Sequence, residues 1–252
     1  MDSQTVKTLI FDLDGTLCTY GLSLEDSLEK CFQDVDDDIP EIRAEDYEEE
    51  FGNQFDMAID DEVERPDLNF RERIFVNLLS GDEEGEGDKP LSEGEILDLA
   101  RKFTEIREGS LHLFEEVPEV IGDLKGAFKL GMLTNGPSDL QRSKIEVLDI
   151  ESWFDDIVVS GEHGLAKPDP GIFEIALNRL EAGTEETVYI GNSPQYDILG
   201  ANNAGIPVIW RKDEDEEEVE EAIPDLIVED LRPLANGIEL KPGDRSSRGE
   251  GE

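Results

Sequence analysis

The fold is decided by a stretch near the start of the chain, residues 6–16, which reads VKTLIFDLDGT. Its first six residues are mostly apolar and β-prone, which is typical of a strand buried in a parallel sheet. Asp12 and Asp14 follow directly, two residues apart, so both carboxylates can face one pocket. Gly15 then lets the backbone turn tightly. Two close carboxylates tend to titrate apart, which suits a nucleophile beside a proton donor.

Three further polar stretches each follow a predicted strand or a strand-and-loop unit. They are Thr134-Asn135, Lys167-Pro168, and Gly191-Asn192-Ser193 with Asp197. The carboxyl ends of parallel strands meet at one edge of an open sheet, where ligands bind. Although these stretches are distant in sequence, we therefore expect them to share one pocket with Asp12 and Asp14.

Helical periodicity dominates the chain between residues 22 and 106. Apolar residues recur at helical spacing in four segments: Leu24, Leu28 and Phe32; Phe51, Phe55 and Ile59; Phe70, Ile74 and Leu78; Ile96, Ala100 and Phe103. Ser92 with Glu95 predicts a capping box for the last of them. We interpret this region as a small helical bundle.

Strands and helices alternate after residue 110, which predicts a parallel sheet with helices packed on it. Ser138 with Gln141 predicts a capping box, and Asp169 is a candidate N-cap before Pro170. The predicted helices cover 118–130, 138–148, 170–182 and 196–204. The predicted strands cover 132–134, 157–160, 187–190, 207–210 and 225–228.

Taken together and in this order, the four polar stretches resemble the motifs of the haloacid dehalogenase-like hydrolase superfamily. The resemblance covers about residues 1–20 and 110–235. It implies an α/β fold, a doubly wound parallel sheet of Rossmann-like type at 1–20 and 110–240. It also implies an inserted all-α cap at 21–109, and we expect a disordered tail at 241–252.

The resemblance also implies a role for each site residue. Asp12 would attack phosphorus, and Asp14 would protonate the leaving oxygen and later activate water. The residues implied to bind phosphate are Gly15, Thr134, Asn135 and Lys167, and Lys167 would also steady Asp12 during catalysis. The implied Mg²⁺ ligands are Asp12, the main-chain carbonyl of Asp14, Asn192, and Asp197 directly or through water. We therefore expect a Mg²⁺-dependent phosphatase for a small phosphorylated metabolite.

Asn192 departs from the family pattern, because phosphatases of this family usually have Asp there. An amide oxygen can bind Mg²⁺ but carries no formal charge, so weaker metal binding is expected. Two alternatives stay open: a 2-haloacid dehalogenase with the same nucleophile, and a catalytically weak binding protein. Asp14 argues against the dehalogenase, because dehalogenases of the family lack the second aspartate.

Two arginines and two histidines are considered as further site residues. Arg71 and Arg73 on the third predicted helix are candidates for binding a substrate anion, with surface ion pairs as the alternative. His112 and His163 lack metal-ligand spacing and receive no role.

Acidic residues dominate the composition. The 65 Asp and Glu against 22 Lys and Arg give a formal charge of −43, which argues against nucleic acid and anionic membranes as partners. Because the acids are spread along helical segments, we expect a folded protein from an extreme halophile, whose salt screens the repulsion. No membrane span or signal peptide is predicted, so a cytoplasmic location is expected. The oligomeric state, monomer or homodimer, is left open. The two cysteines, Cys18 and Cys31, are expected to be reduced thiols.

Overall fold

The computed structural model describes residues 6–35, 41–59, 64–80, 91–213 and 219–235. The chain packs into two compact units. The sheet unit comprises Met1–Thr19, Leu113–Asn135 and Asp149–Glu252, and the helical unit comprises Tyr20–His112 and Gly136–Leu148. The tail predicted at 241–252 lies outside the described residues.

A six-stranded parallel sheet forms the centre of the sheet unit. Its strands are β1 Thr8–Phe11, β4 Lys129–Thr134, β5 Asp156–Val159, β6 Thr187–Gly191, β7 Val208–Arg211 and β8 Leu226–Val228. They lie in the order β5-β4-β1-β6-β7-β8, so buried β1 pairs with β4 on one side and β6 on the other. A separate two-stranded sheet pairs β2 Cys18–Tyr20 with β3 Leu111–Leu113. The predicted α/β parallel-sheet fold is confirmed.

Helices connect the parallel strands, because a parallel pair needs a crossover connection. They are α5 Val117–Leu124 before β4, α7 Pro170–Arg179 between β5 and β6, and α8 Leu199–Ala204 between β6 and β7, whereas α9 Arg232–Ala235 follows β8. The start of α7 is capped as predicted, since Oδ1 of Asp169 accepts a hydrogen bond from the Gly171 N–H at 2.7 Å. Apolar residues of α7 pack in a hydrophobic core with residues of the sheet, where Phe173 contacts Tyr189 of β6 edge to face.

Three helix predictions in this unit are wrong in extent. The helix expected over 118–130 ends at Leu124, because the chain turns at Gly126, whose φ is +92°, and enters β4 at Lys129. The helix expected to reach residue 182 ends at Arg179. The helix expected over 196–204 begins earlier, with a π-helical turn over Pro194–Ile198 that leads into α8.

The helical unit contains the four helices predicted between residues 22 and 106. They are α1 Leu24–Phe32, α2 Ala44–Ile59, α3 Phe70–Leu79 and α4 Glu93–Ser110. The predicted Ser92–Glu95 capping box is present at the start of α4, with both reciprocal hydrogen bonds. Phenylalanine rings at 32, 70, 75 and 103 fill a shared buried core.

Helix α6, Ser138–Val147, packs in the helical unit, whereas the sequence placed it in the sheet-containing core. The physical reason lies in two contacts. Asp139 accepts the main-chain N–H of Phe70 at 2.7 Å, and Leu140 joins the phenylalanine core. The predicted Ser138 cap is wrong, because Pro137 holds the N-cap position and makes no side-chain cap bond. None of the described helices has the length and apolar character needed to cross a bilayer.

Candidate active site

The carboxyl edge of the sheet brings the predicted residues of the sheet unit together. Asp12 follows β1, Thr134 ends β4 and Gly191 ends β6, and these three strands are neighbours. Lys167 comes from the loop before α7, and its Nζ donates to the Leu133 carbonyl on β4 at 3.3 Å. The strand-end argument from sequence therefore predicts this meeting point correctly.

Lys167 is the centre of the site. Its Nζ lies 2.6 Å from Oδ1 of Asp12 and 2.6 Å from Oδ1 of Asp197. The side chains of the three residues are only 3%, 7% and 2% exposed, respectively. A buried ammonium group that bridges two carboxylates holds both in a fixed position, because separating either pair would leave an uncompensated buried charge.

Tyr189 completes this network and was missed by the sequence analysis. Its hydroxyl accepts a hydrogen bond from Lys167 at 3.0 Å and donates one to Oδ1 of Asp197 at 2.8 Å. The residue is fully buried on β6. One signal could have found it: a tyrosine hydroxyl inside an otherwise apolar parallel strand must find a polar partner there.

Asp197 is saturated with hydrogen bonds. Oδ1 accepts from Lys167 and Tyr189, and Oδ2 accepts the main-chain N–H groups of Asn192 at 3.1 Å and Ser193 at 2.9 Å. Direct metal ligation by Asp197 would have to displace some of these donors. Its observed contacts favour anchoring Lys167 and the turn after β6, and its role as a metal ligand stays a prediction.

Asn135 holds the backbone of Lys167. Its Nδ2 donates to the Lys167 carbonyl at 2.9 Å, and its Oδ1 accepts the Lys167 N–H at 2.9 Å. The side-chain amide is therefore engaged in positioning the lysine loop, so a phosphate contact by Asn135 would fall to its main-chain N–H. Thr134 is buried at the end of β4, and phosphate binding by this residue stays a prediction.

The turn after β1 is held by its own backbone. The Gly15 N–H donates to the Cys18 carbonyl at 2.8 Å, and the Leu17 N–H donates to the Leu13 carbonyl at 2.9 Å. Gly15 has a φ of +77°, a conformation that residues with a Cβ adopt rarely. Asp14 lies half-buried in this turn, one residue after Leu13. Asp12 and Asp14 thus occupy a rigid strand-to-turn junction.

The charges of this cluster shift its pKa values. Burial raises the pKa of Asp12 to about 7; the Lys167 charge opposes the rise, and Asp197 and Asp14 add to it. Burial acts to lower the pKa of Lys167, but Asp12 and Asp197 outweigh burial, so its pKa is raised. The cluster thus holds one ammonium group, on Lys167, against the carboxyl groups of Asp12 and Asp197, with Asp14 acting on Asp12, an excess of negative charge that a divalent cation would offset.

The donor set around Asn192 fits Mg²⁺ in chemical type. Asn192 Oδ1 accepts a hydrogen bond from Thr16 Oγ1 at 3.3 Å, and a side-chain carbonyl oxygen is a ligand type that Mg²⁺ accepts. Oδ1 of Asp12, a carboxylate oxygen of the type that Mg²⁺ prefers, accepts a hydrogen bond from Lys167. No group of three His, Cys, Asp or Glu suited to a metal occurs among the described residues. A magnesium site here would therefore combine carboxylate, amide and main-chain oxygens, which Mg²⁺ accepts together with water.

Arg71 and Arg73 belong to the helical unit and are not in surface ion pairs within the described residues. Arg71 is buried with its guanidinium 5.7 Å from the centre of the Phe103 ring. Arg73 donates to the Gln54 side chain at 3.1 Å and to the Leu68 carbonyl at 2.6 Å. Both arginines therefore contribute to the packing of this unit.

Comparison with known proteins gives a consistent picture. A family model described as haloacid dehalogenase-like hydrolase matches residues 6–205. The phosphoserine phosphatase of Thermus thermophilus is 35% identical over 166 residues, which are 66% of this chain and 64% of the relative. The chain thus spans slightly less than two thirds of the length of that relative.

Solved structures share the fold. A 2-haloacid dehalogenase from Pseudomonas syringae superposes with a TM-score of 0.66 at 23% identity, over 92% of this chain and 97% of that one. The magnesium-bound hydrolase YfnB from Bacillus subtilis superposes with a TM-score of 0.63 at 24% identity, over 92% and 98%. At these identities the likeness concerns architecture alone.

Proposed function

Because the chain belongs to the haloacid dehalogenase-like hydrolase family, we propose that it is a magnesium-dependent phosphatase for a small phosphorylated metabolite. The observation that carries the proposal is the buried contact of Asp12 with Lys167, directly before the turn that holds Asp14. The phosphoserine phosphatase relative supports phosphate monoester chemistry.

The reaction proceeds in two displacements at phosphorus. Oδ2 of Asp12 attacks the phosphoryl group, the bond to the ester oxygen breaks, and Asp14 gives that oxygen a proton. Asp14 then removes a proton from water, and the resulting nucleophile attacks the phosphoryl group on Asp12. Inorganic phosphate leaves, and Asp12 and Asp14 return to their starting states.

Lys167 serves both displacements. Its contact with Oδ1 orients the Asp12 carboxylate so that Oδ2 faces the phosphoryl group. The ammonium charge also offsets negative charge on the equatorial oxygens, which is strongest in a site shielded from water. Asp197, Tyr189 and Asn135 keep the lysine in place through its side chain and its backbone.

Magnesium, when bound, supplies positive charge that stabilises the phosphoryl oxygens in the transition state. Asp12, the main-chain carbonyl of Asp14 and Asn192 would hold it, with Asp197 reaching it through water.

The remaining assignments complete the proposal. Residues 21–109 act as a helical cap and residues 1–20 and 110–240 as the core, apart from helix α6, which packs in the helical unit. The protein works in the cytoplasm of an extreme halophile as a monomer or homodimer. Its charge of −43 supports a salt-rich setting and argues against nucleic acid or membrane partners.

The test is phosphate release from a panel of small phosphate monoesters in molar KCl with Mg²⁺. Asp12→Asn should abolish release, whereas the same change at the exposed Asp98 of α4 should not affect it. Halide release from 2-haloacids without metal would instead support the dehalogenase alternative. Activity that survives in Asp12→Asn would refute the assigned nucleophile. An intact fold with no activity, even after Asn192→Asp, would favour the binding-protein alternative.

A further inference from the structure

Two consecutive residues at the end of β7, Trp210 and Arg211, each donate a hydrogen bond to a main-chain carbonyl in one of the two turns beside the candidate metal site. The indole Nε1 of Trp210 donates to the Asn192 carbonyl at 2.7 Å. The Arg211 Nη1 donates to the Gly15 carbonyl at 2.7 Å. Both side chains are buried, so water competes little for these bonds.

Arg211 is itself fixed on three sides. Its guanidinium lies 3.5 Å from the centre of the Phe114 ring, and its Nη2 lies 3.6 Å from Oε1 of the buried Glu116. A guanidinium stacked on an aromatic face and paired with a carboxylate has little rotational freedom. Its bond to Gly15 therefore restrains the turn that carries Asp14.

The turn after β1 and the turn after β6 contact each other through Gly15 and Asn192. A Cβ on Gly15 would overlap the side-chain amide of Asn192, so the two residues are packed against each other. Asn192 is also held through its main-chain N–H by Asp197 and through its Oδ1 by Thr16. The orientation of its amide oxygen is thus determined before any ligand arrives.

We infer that Trp210 and Arg211 are positioning residues for the magnesium site. They allow Asn192, which is neutral, to bind the ion at a position where an aspartate would attract it by charge. Mg²⁺ demands near-octahedral geometry, so a donor that is already oriented binds it at a smaller ordering cost. The inference rests on the proposed function only in its choice of metal.

The test is a Mg²⁺ titration by calorimetry at constant KCl. Trp210→Phe and Arg211→Lys should each weaken Mg²⁺ binding about tenfold, the size usual for lost support of a metal ligand. Trp153→Phe, which changes the other tryptophan of the chain, is the matched control and should bind as the wild type does. Unfolding midpoints in EDTA show whether each variant folds. If Trp210→Phe does not fold, Arg211→Lys still tests the inference.

Fluorescence gives a second reading. In Trp153→Phe the emission comes from Trp210 alone, and it should change on Mg²⁺ addition with the calorimetric midpoint. Three results would overturn the inference: normal Mg²⁺ affinity in both Trp210→Phe and Arg211→Lys, Trp210 emission that does not change with Mg²⁺, or a wild type that binds no Mg²⁺. Mg²⁺ binding as predicted, without phosphate release from any ester, would instead refute the proposed function and leave this inference standing.

Discussion

The Tyr189 hydroxyl donates a hydrogen bond to the same Asp197 oxygen that binds the candidate catalytic lysine, Lys167. The Tyr189 hydroxyl donates to Oδ1 of Asp197 at 2.8 Å, and the same oxygen accepts the Lys167 ammonium at 2.6 Å. Since Tyr189 also accepts a bond from Lys167 at 3.0 Å, the three groups form a closed triangle. The position of Lys167, and through it of Asp12, depends on all three sides.

Removing the Tyr189 hydroxyl should weaken catalysis more than substrate binding. Tyr189→Phe leaves the buried Asp197 and Lys167 each without one partner, which costs about 1–3 kcal/mol of folding stability. We expect kcat to fall about tenfold while KM stays within about twofold, because the lysine acts chiefly in the transition state. Steady-state kinetics and thermal unfolding measure both quantities.

Tyr196 offers the matched control, because it is 51% exposed. Tyr196→Phe should change neither kcat nor the unfolding midpoint. A Tyr189→Phe enzyme with wild-type kcat would show that the triangle is structural only.

Restoring a charge at position 192 should tighten metal binding. Asn192→Asp places a carboxylate among Asp12, Asp14 and Asp197, so Mg²⁺ affinity should rise about tenfold or more. Without metal, the repulsion between these carboxylates should lower the unfolding midpoint measured in EDTA. Asn178→Asp, an exposed change on α7, should do neither. Unchanged Mg²⁺ affinity in Asn192→Asp would mean that position 192 does not bind the ion.

A methyl group at position 15 should disrupt the site from within. Gly15→Ala forces a side chain into a φ of +77° and against the Asn192 amide, and the backbone strain alone costs about 1–3 kcal/mol. We expect a lower unfolding midpoint and weaker Mg²⁺ binding by calorimetry. Gly94→Ala in the first turn of α4 meets nothing within 4 Å and should be neutral or slightly stabilising. A Gly15→Ala variant with wild-type stability and metal affinity would rule out this packing.

Salt should stabilise the protein. With a formal charge of −43, the folded chain repels itself at low ionic strength, and the Debye length falls from about 30 Å at ~0.01 M salt to about 3 Å at ~1 M. The unfolding midpoint should therefore rise with KCl, and sorbitol of equal osmolality should reproduce only part of the rise. A midpoint that falls as KCl increases would contradict the halophilic interpretation.

Much of the sheet unit could be predicted because its signals are local. The strand before Asp12 is a continuous apolar run, and Asp169 stands where a helix needs a cap before Pro170. Parallel pairing then determined that Asp12, Lys167 and Asp197 would meet.

The other features depend on tertiary contacts that no local pattern encodes. Helix α6 looked like part of the alternating sheet region, yet Asp139 and Leu140 bind it to the helical unit. Tyr189 resembles any residue of a buried strand in the sequence, and its role depends on the Lys167 ammonium that lies beside its hydroxyl. Trp210 likewise has a role only through the register that sets it opposite Gly191 of β6.

The most direct test of the central claim is a crystal structure with Mg²⁺ and beryllium fluoride, which mimics a phosphoryl group bound to a carboxylate. The proposed chemistry predicts beryllium bonded to an oxygen of Asp12, with the Lys167 ammonium against a fluoride. A mimic bound elsewhere, with the Asp12 carboxylate still free, would contradict it.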